Sequence, residues 1–283
     1  MIRMEHVKKT YPAFSFEVSM EIPEGRITGL IGKNGAGKST AIRLMLGLIK
    51  KESGTLEMFG KPVENLTAED RQKTGVSLAE AGFSEQLTVS DVERILKRMY
   101  PAFDGVWFGE QCKKMQLPGQ KKIKEFSTGM KAKLRVLTAL SHKACLLILD
   151  EPTAGLDVEA RNEILDLLRV YAAEDENRTI LITSHISSDL EQLCDDLYLI
   201  EDGKMILHEE TDRILEHYGI IKASREQYAA LDPVCILKTQ KEPYGYACFT
   251  NDRKYYEENY PGLIVERGGI DELILMMTGG EVR

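Results

Sequence analysis

Eight residues, Gly32-Lys33-Asn34-Gly35-Ala36-Gly37-Lys38-Ser39, constrain this chain more than any other stretch. They fit the pattern G-x-x-x-x-G-K-[S/T]. They stand between a compact apolar run at 26–31 (RITGLI) and a helical apolar pattern at Ile42, Leu44, Met45, Leu46 and Leu48. Strand, glycine loop and helix, in that order, form the context this motif requires. The residue types follow from the chemistry of a polyphosphate. Glycines let backbone N–H groups close around phosphate oxygens, and a helix N-terminus adds the positive end of its dipole. Lys38 can reach the outer phosphates, and the Ser39 hydroxyl can ligate Mg²⁺.

Further along, residues 143–149 (KACLLIL) read as a second buried strand, running into Asp150 and Glu151. Residues 179–183 (TILIT) read as a third, ending at Ser184-His185, and residues 197–208 read as a hairpin turning at Asp202-Gly203. Asp150, at a strand end, can hold the shell of a divalent cation, and Glu151 can orient or deprotonate an attacking water. Helix starts fall between the strands. Ser90 with Glu93 and Ser188 with Glu191 have capping-box spacing, and Asp157 precedes a segment whose Ile164, Leu165, Leu167 and Leu168 share one face. Buried strands alternating with helices predict an α/β domain with a largely parallel sheet.

Composition bounds what such a domain can be. The chain has 283 residues, 43% of them hydrophobic and 29% charged, which suits one large domain with an appendage. Lys+Arg 37 against Asp+Glu 45 leaves −8, which argues against nucleic acid as a partner. The charge does not exclude a nucleotide, because backbone amides and one lysine suffice to hold it. Five isolated cysteines (112, 145, 194, 235, 248), odd in number and without a CxxC pair, predict reduced thiols. The N-terminal residues lack the apolar stretch of a signal peptide, and no apolar run approaches the about 20 residues of a membrane span. Residues 80–142 read as a helical insertion broken at Pro101, Pro118 and Gly119. The texture changes near 212, where aromatics cluster and the strands VCILK and GLIVE are short. The expected division is therefore 1–211 and a small α+β appendage at 212–283.

Three further segments narrow the reading. Phe126-Ser127-Thr128-Gly129-Met130, followed by KAKLRVLTAL, resembles the L-S-G-G-Q signature of ABC ATPases. Gly155-Leu156-Asp157 stands at the D-loop spacing after Asp150-Glu151-Pro152-Thr153, and His185 matches the switch histidine at the end of TILIT. In this order the motifs identify residues 1–210 as resembling an ABC transporter ATP-binding subunit, of the kind found in small bacterial drug or antimicrobial-peptide exporters.

The resemblance implies a P-loop NTPase (RecA-like) core with antiparallel N-terminal strands, ATP and Mg²⁺ as ligands, and ATP hydrolysis as the activity. Carried over by position, Tyr11 would stack on the adenine. Asn34, Gly35, Ala36, Gly37, Lys38, Ser39 and Thr40 would hold the phosphates, and Ser39 and Asp150 would hold the metal. Glu151, His185 and Lys38 would be the catalytic residues. Ser127 and Gly129 would complete the site in trans, across a head-to-tail pair of identical chains. The signature departs from the family pattern at Thr128 and Met130. The family's Q-loop glutamine is replaced, with Ala79 in its place and Glu80 beside it; Glu80 is expected to take over the Mg²⁺ contact. The partner would be a separate transmembrane permease, met near residues 77–100, which would hold the chain at the cytoplasmic face of the membrane. The residues themselves leave open an importer subunit, or a non-transport ATPase acting on ribosome or DNA. An apolar helix near 273–277 is expected to stabilise a dimer through an exposed face.

Overall fold

The computed structural model describes residues 1–79 and 82–279. The chain opens with β1 (Ile2–Tyr11), β2 (Phe14–Ile22), β3 (Ile27–Ile31), α1 (Lys38–Met45), β4 (Ser53–Met58), β5 (Lys61–Pro62), α2 (Ala68–Gln72) and β6 (Thr74–Ser77). The helical segment follows as α3 (Val89–Met99), α4 (Gly105–Lys114) and α5 (Thr128–Leu140). The chain returns to the sheet through β7 (Leu146–Asp150), α6 (Val158–Ala173), β8 (Thr179–Thr183), α7 (Ser187–Leu193), β9 (Asp196–Glu201) and β10 (Lys204–Glu210). Its last part is α8 (Thr211–His217), β11 (Gly219–Ala223), α9 (Arg225–Ala229), β12 (Ile236–Glu242), β13 (Gly245–Thr250), α10 (Arg253–Asn259), β14 (Ile264–Arg267) and α11 (Ile270–Gly279).

Ten strands make one sheet in the order β5-β4-β1-β2-β10-β9-β3-β8-β7-β6. From β9 to β6 the pairs are parallel, β1 pairs antiparallel with both β2 and β4, and β2 meets β10 in parallel. The residue patterns explain both halves. β7 and β8 are apolar almost throughout because helices cover both faces, whereas β2 alternates buried and exposed residues over one covered face. Along β7 and β8 successive side chains enter two different cores. Leu147, Leu149, Ile180 and Ile182 pack with the helical segment, and Leu146, Ile148 and Leu181 pack under α1 and the N-terminal strands.

Helix starts deviate from the expected ones in two places, each for a visible reason. α3 is capped by Thr88 and Asp91 in a reciprocal box, not by Ser90 and Glu93, because the Ser90 hydroxyl donates to the Gly119 carbonyl at 3.0 Å. α7 begins at Ser187, and no Ser188–Glu191 box forms; the Glu191 carboxylate instead accepts the Ile270 N–H of α11 at 3.1 Å. The cap at Asp157 is as expected, its carboxylate accepting the Ala160 N–H at 2.8 Å. The second strand starts at Leu146 rather than 143, since Lys143 turns the chain in the left-handed region (φ 54°). Asp202 (φ 46°) and Gly203 (φ 74°) form the hairpin turn between β9 and β10.

After residue 211 a second sheet forms in the order β12-β13-β11-β14. Its β11 and β13 were not evident in the sequence. One face holds Ile221, Cys248 and Tyr256 in a small core of its own. The other sends Ile220, Ala247 and Phe249 into the large core beside β7 and β8. The α11 side chains Ile270, Leu273 and Met276 are buried in that same large core, so most of the apolar stretch expected to be open is covered by the chain itself, and Leu275 is the large apolar side chain of α11 that stays exposed. All five cysteines are free thiols. Among the described residues no helix is long and apolar enough to cross a membrane.

Candidate active site

β3 ends against a glycine loop that turns into α1. Gly32 is obligatory for space, because a Cβ there would stand 2.3 Å from the Ile200 carbonyl oxygen. Gly35 is obligatory for conformation (φ 84°), with open space around it. The first turn of α1 carries no acidic residue and no side-chain cap, so its N–H groups remain available to an anion. Lys38 is buried and folds back over the loop, its Nζ donating to the carbonyls of Gly32 (2.6 Å) and Lys33 (3.3 Å). Burial lowers the Lys38 pKa below the ordinary lysine value, with Glu151 and Asp150 opposing that shift.

The loop and α1 border a cleft of about 650 Å³. Tyr11, Asn34, Gly35, Gly37, Lys38, Ser39, Thr40, Asp150 and Glu151 line it, as does Ala79. Ala36 does not line it; it is buried in the core beneath the loop, its carbonyl accepting the Gly203 N–H at 2.9 Å. Tyr11 lies at the end of β1 with Phe14 beside it, ring centroids 6.2 Å apart, and both border the cleft. An aromatic pair bordering the same cleft as the phosphate loop suits a planar base.

The acidic end of the cleft is set by strand register. Asp150 of β7 stands opposite Thr183 of β8, whose hydroxyl donates to Asp150 Oδ1 at 2.7 Å. The Glu151 N–H donates to the same hydroxyl (3.0 Å) and to the Thr183 carbonyl (3.2 Å). Glu151 itself adopts φ 49°, a left-handed backbone costing about 1–3 kcal/mol for a residue with a Cβ, and these bonds hold it there. Its Oε2 accepts the His185 Nδ1–H at 2.6 Å and the His185 backbone N–H at 3.3 Å. Thr183 was missed in the sequence, where nothing marked which residue would face Asp150. The Thr153 hydroxyl also donates to the buried Asp189 carboxylate at 2.6 Å, tying the loop after Glu151 to α7.

The profile of the ABC transporter family matches residues 16–154. The chain is 33% identical over 202 residues to the ABC transporter ATP-binding protein YtrB of Bacillus subtilis, covering 71% of this chain and 68% of that protein. It is 33% identical over 222 residues to the lantibiotic transport ATP-binding protein SrtF of Streptococcus pyogenes, covering 75% and 92%. This chain belongs to the ABC transporter family. It is an ATP-binding subunit of that family, and its reaction is ATP hydrolysis. The fold agrees with the dimeric post-hydrolysis structure of the ATP-binding cassette MJ0796 bound to ADP and Pi, with a TM-score of 0.65 at 22% identity over 74% of this chain and 98% of that one.

The signature segment of this ABC subunit lies away from its own cleft. Ser127 caps α5, its hydroxyl accepting the Met130 N–H at 3.2 Å, so the helix starts within the signature rather than after it. Neither Ser127 nor Gly129 lines the cleft. A Cβ at Gly129 would meet its nearest neighbours at 3.8 Å, so nothing within the chain demands glycine there. Glu80 lies outside the described residues. Its neighbour Ala79 borders the cleft, and its carbonyl accepts Arg135 Nη1 of α5 at 3.0 Å.

Proposed function

We propose that this chain is the ATP-hydrolysing subunit of an exporter for antimicrobial compounds or amphipathic peptides, working as a head-to-tail pair beneath a separate permease. The carrying observation is the division of the site. One chain provides the phosphate loop and the acidic pair around one cleft, with His185 outside its lining but bonded to Glu151, and leaves Ser127, Gly129 and the N-terminus of α5 without a ligand of their own. A second copy, inverted, would bring that helix N-terminus to the open side of the phosphates. A glycine with no steric purpose inside its own chain is what close approach of another chain's nucleotide requires.

In this reading, the N–H groups of residues 34–40 and the Lys38 ammonium hold the phosphates, and Tyr11 faces the adenine. Glu151 takes a proton from water as its oxygen bonds to the γ-phosphorus and the bond to the β–γ bridging oxygen breaks, leaving ADP and phosphate. His185, bonded to Glu151 through Nδ1, fixes the orientation of that carboxylate. Among the described residues no cluster of three acidic, histidine or cysteine side chains could enclose a metal. The donors Ser39 and Asp150, with phosphate and water making up the shell, suit Mg²⁺, which prefers that mixture. Bound there, Mg²⁺ would neutralise charge on the outer phosphates.

The permease contact is proposed at the groove of about 470 Å³ bordered by Ser77, Leu78, Phe83, Leu96, Met99 and Tyr100. Arg135 crosses from α5 to Ala79 at its edge, joining the groove both to the cleft and to the signature helix. Such an arrangement would hold the chain at the cytoplasmic face of the membrane. The cargo class follows from the likeness to SrtF, named for lantibiotic transport. The test is Glu151→Gln in the full chain with Mg-ATP. Light scattering should report a stable pair, with both subunits retaining nucleotide; a monomer at saturating Mg-ATP would overturn the paired reading. Co-purification should recover a membrane protein, and its loss on altering Leu96 and Met99 would locate the contact.

A further inference from the structure

Helix α11 is bonded to α7 at its start and to the phosphate loop at its end. At its start, the Ile270 N–H donates to Glu191 of α7 at 3.1 Å, and the Ser187 hydroxyl of α7 donates to Asp271. Each helix thereby receives a polar group from the other, and the Glu191 carboxylate sits at the positive end of α11. Along its length, Ile270, Leu273 and Met276 share a core with Leu190 and Leu193 of α7. At its end, the Thr278 carbonyl accepts Lys33 Nζ at 3.0 Å, from within the phosphate loop. A lysine at carbonyls that have no partner further along the helix is favourable for the same electrostatic reason.

These contacts bear on His185. Its side chain is 54% exposed, so packing does not fix it. The ring is placed by its bond to Glu151 and by the backbone on either side. Ser187 follows two residues later, at the first position of α7, a helix whose N-cap, Ile186, offers no side-chain bond. The Ser184 hydroxyl accepts the Ile186 N–H at 3.0 Å. Downstream, Asp189 is tied to Thr153. Between those points the Ser187 hydroxyl turns outward to Asp271.

We propose that Asp271 is a positioning residue for ATP hydrolysis, and that α11 is the support that sets the segment carrying His185. The inference rests on the reading of Glu151 and His185 given above. It assigns the last helix of the appendage to the cassette's chemistry.

The test uses the full chain with Asp271→Ala, Asp271→Asn and Ser187→Ala. Asp271→Ala should lower kcat about tenfold, the worth of one ordered hydrogen bond, with KM for ATP unchanged within about twofold. Asp271→Asn should recover most of that loss, because its amide oxygen still accepts the Ser187 hydroxyl. The double variant Ser187→Ala/Asp271→Ala should be no worse than either single one. In the nucleotide-free chain, the low-field Nδ1–H resonance of His185 should weaken in Asp271→Ala and return in Asp271→Asn. If Asp271→Ala fails to fold, Ser187→Ala, which removes only a hydroxyl, carries the same expectations. A kcat unchanged in folded protein, or a loss confined to KM and not recovered by Asp271→Asn, would overturn the inference. Glu151→Gln and His185→Ala run alongside. If they lose activity while Asp271→Ala keeps it, only the role of Asp271 falls; if they too keep activity, the reading of the site falls with it.

Discussion

At Lys38 two demands meet, since the ammonium must be buried to reach phosphate and burial disfavours its charge. The folded pKa is therefore lower than the unfolded one. Below that folded pKa the buried charge destabilises the nucleotide-free fold, and the deficit is relieved as pH rises toward the ordinary lysine value. The same shift governs binding. The alkaline limb of kcat/KM should fall at a pH below the ordinary lysine range, and a pH–rate series should place it there, with Lys38→Arg moving the limb upward. Gly129 offers a complementary test. Gly129→Ala should leave folding and ATP binding by the single chain intact, since the added methyl meets only ordinary contacts. It should reduce ATPase activity at least about tenfold if the close approach is made by another chain's nucleotide. Calorimetric ATP binding beside turnover separates these effects. Most of the site was legible at this scale, because the phosphate loop, Asp150, Glu151 and His185 are chemically distinctive in sequence. Thr183 was not legible, because its role depends on standing opposite Asp150 across two strands. The Ala36 side chain is core while Gly35 and Gly37 on either side line the cleft, since the residues of a tight loop alternate between cleft and interior over single positions.

Among the helices, the choice of cap shows what local patterns can and cannot settle. Ser90–Glu93 and Thr88–Asp91 both fit a capping box, and only tertiary contact decides between them: Gly119 takes the Ser90 hydroxyl and leaves Thr88 to cap. Thr88→Ala should cost about 1 kcal/mol in denaturant unfolding, and Ser90→Ala should cost less. Asp157→Ala should match the larger value, since its carboxylate caps α6 directly. Strands showed the same division. β3, β7 and β8 could be read from their apolar runs because both faces are buried. β11 (GIIKA) and β13 (GYACFT) could not, because glycine, lysine and threonine interrupt their few apolar residues, so neither reads as a clean alternation or as a continuous run.

Taken whole, the larger of the two cores flanking the parallel strands does not stop where the sequence changes texture. Ile214, Tyr218, Phe249 and Leu273 lie in the same cluster as Leu147 and Ile182. Calorimetry of the full chain should therefore show one unfolding transition rather than two. Ending the chain at residue 269 should lower its stability by several kcal/mol, on a scale of about 1.5–3 kcal/mol for each of Ile270, Leu273 and Met276. Two separate transitions, or an unchanged midpoint in the shortened chain, would contradict this. The strand order carries a different consequence. The ten-stranded sheet ends on one side at β5, two residues long with Pro62 in it, and on the other at β6, four residues long. Neither border presents more than a short row of free backbone donors, and a proline cannot extend a ladder at all. A sheet this wide and this apolar would otherwise recruit strands from other molecules at high concentration, so its stunted borders are a guard against fibrous aggregation.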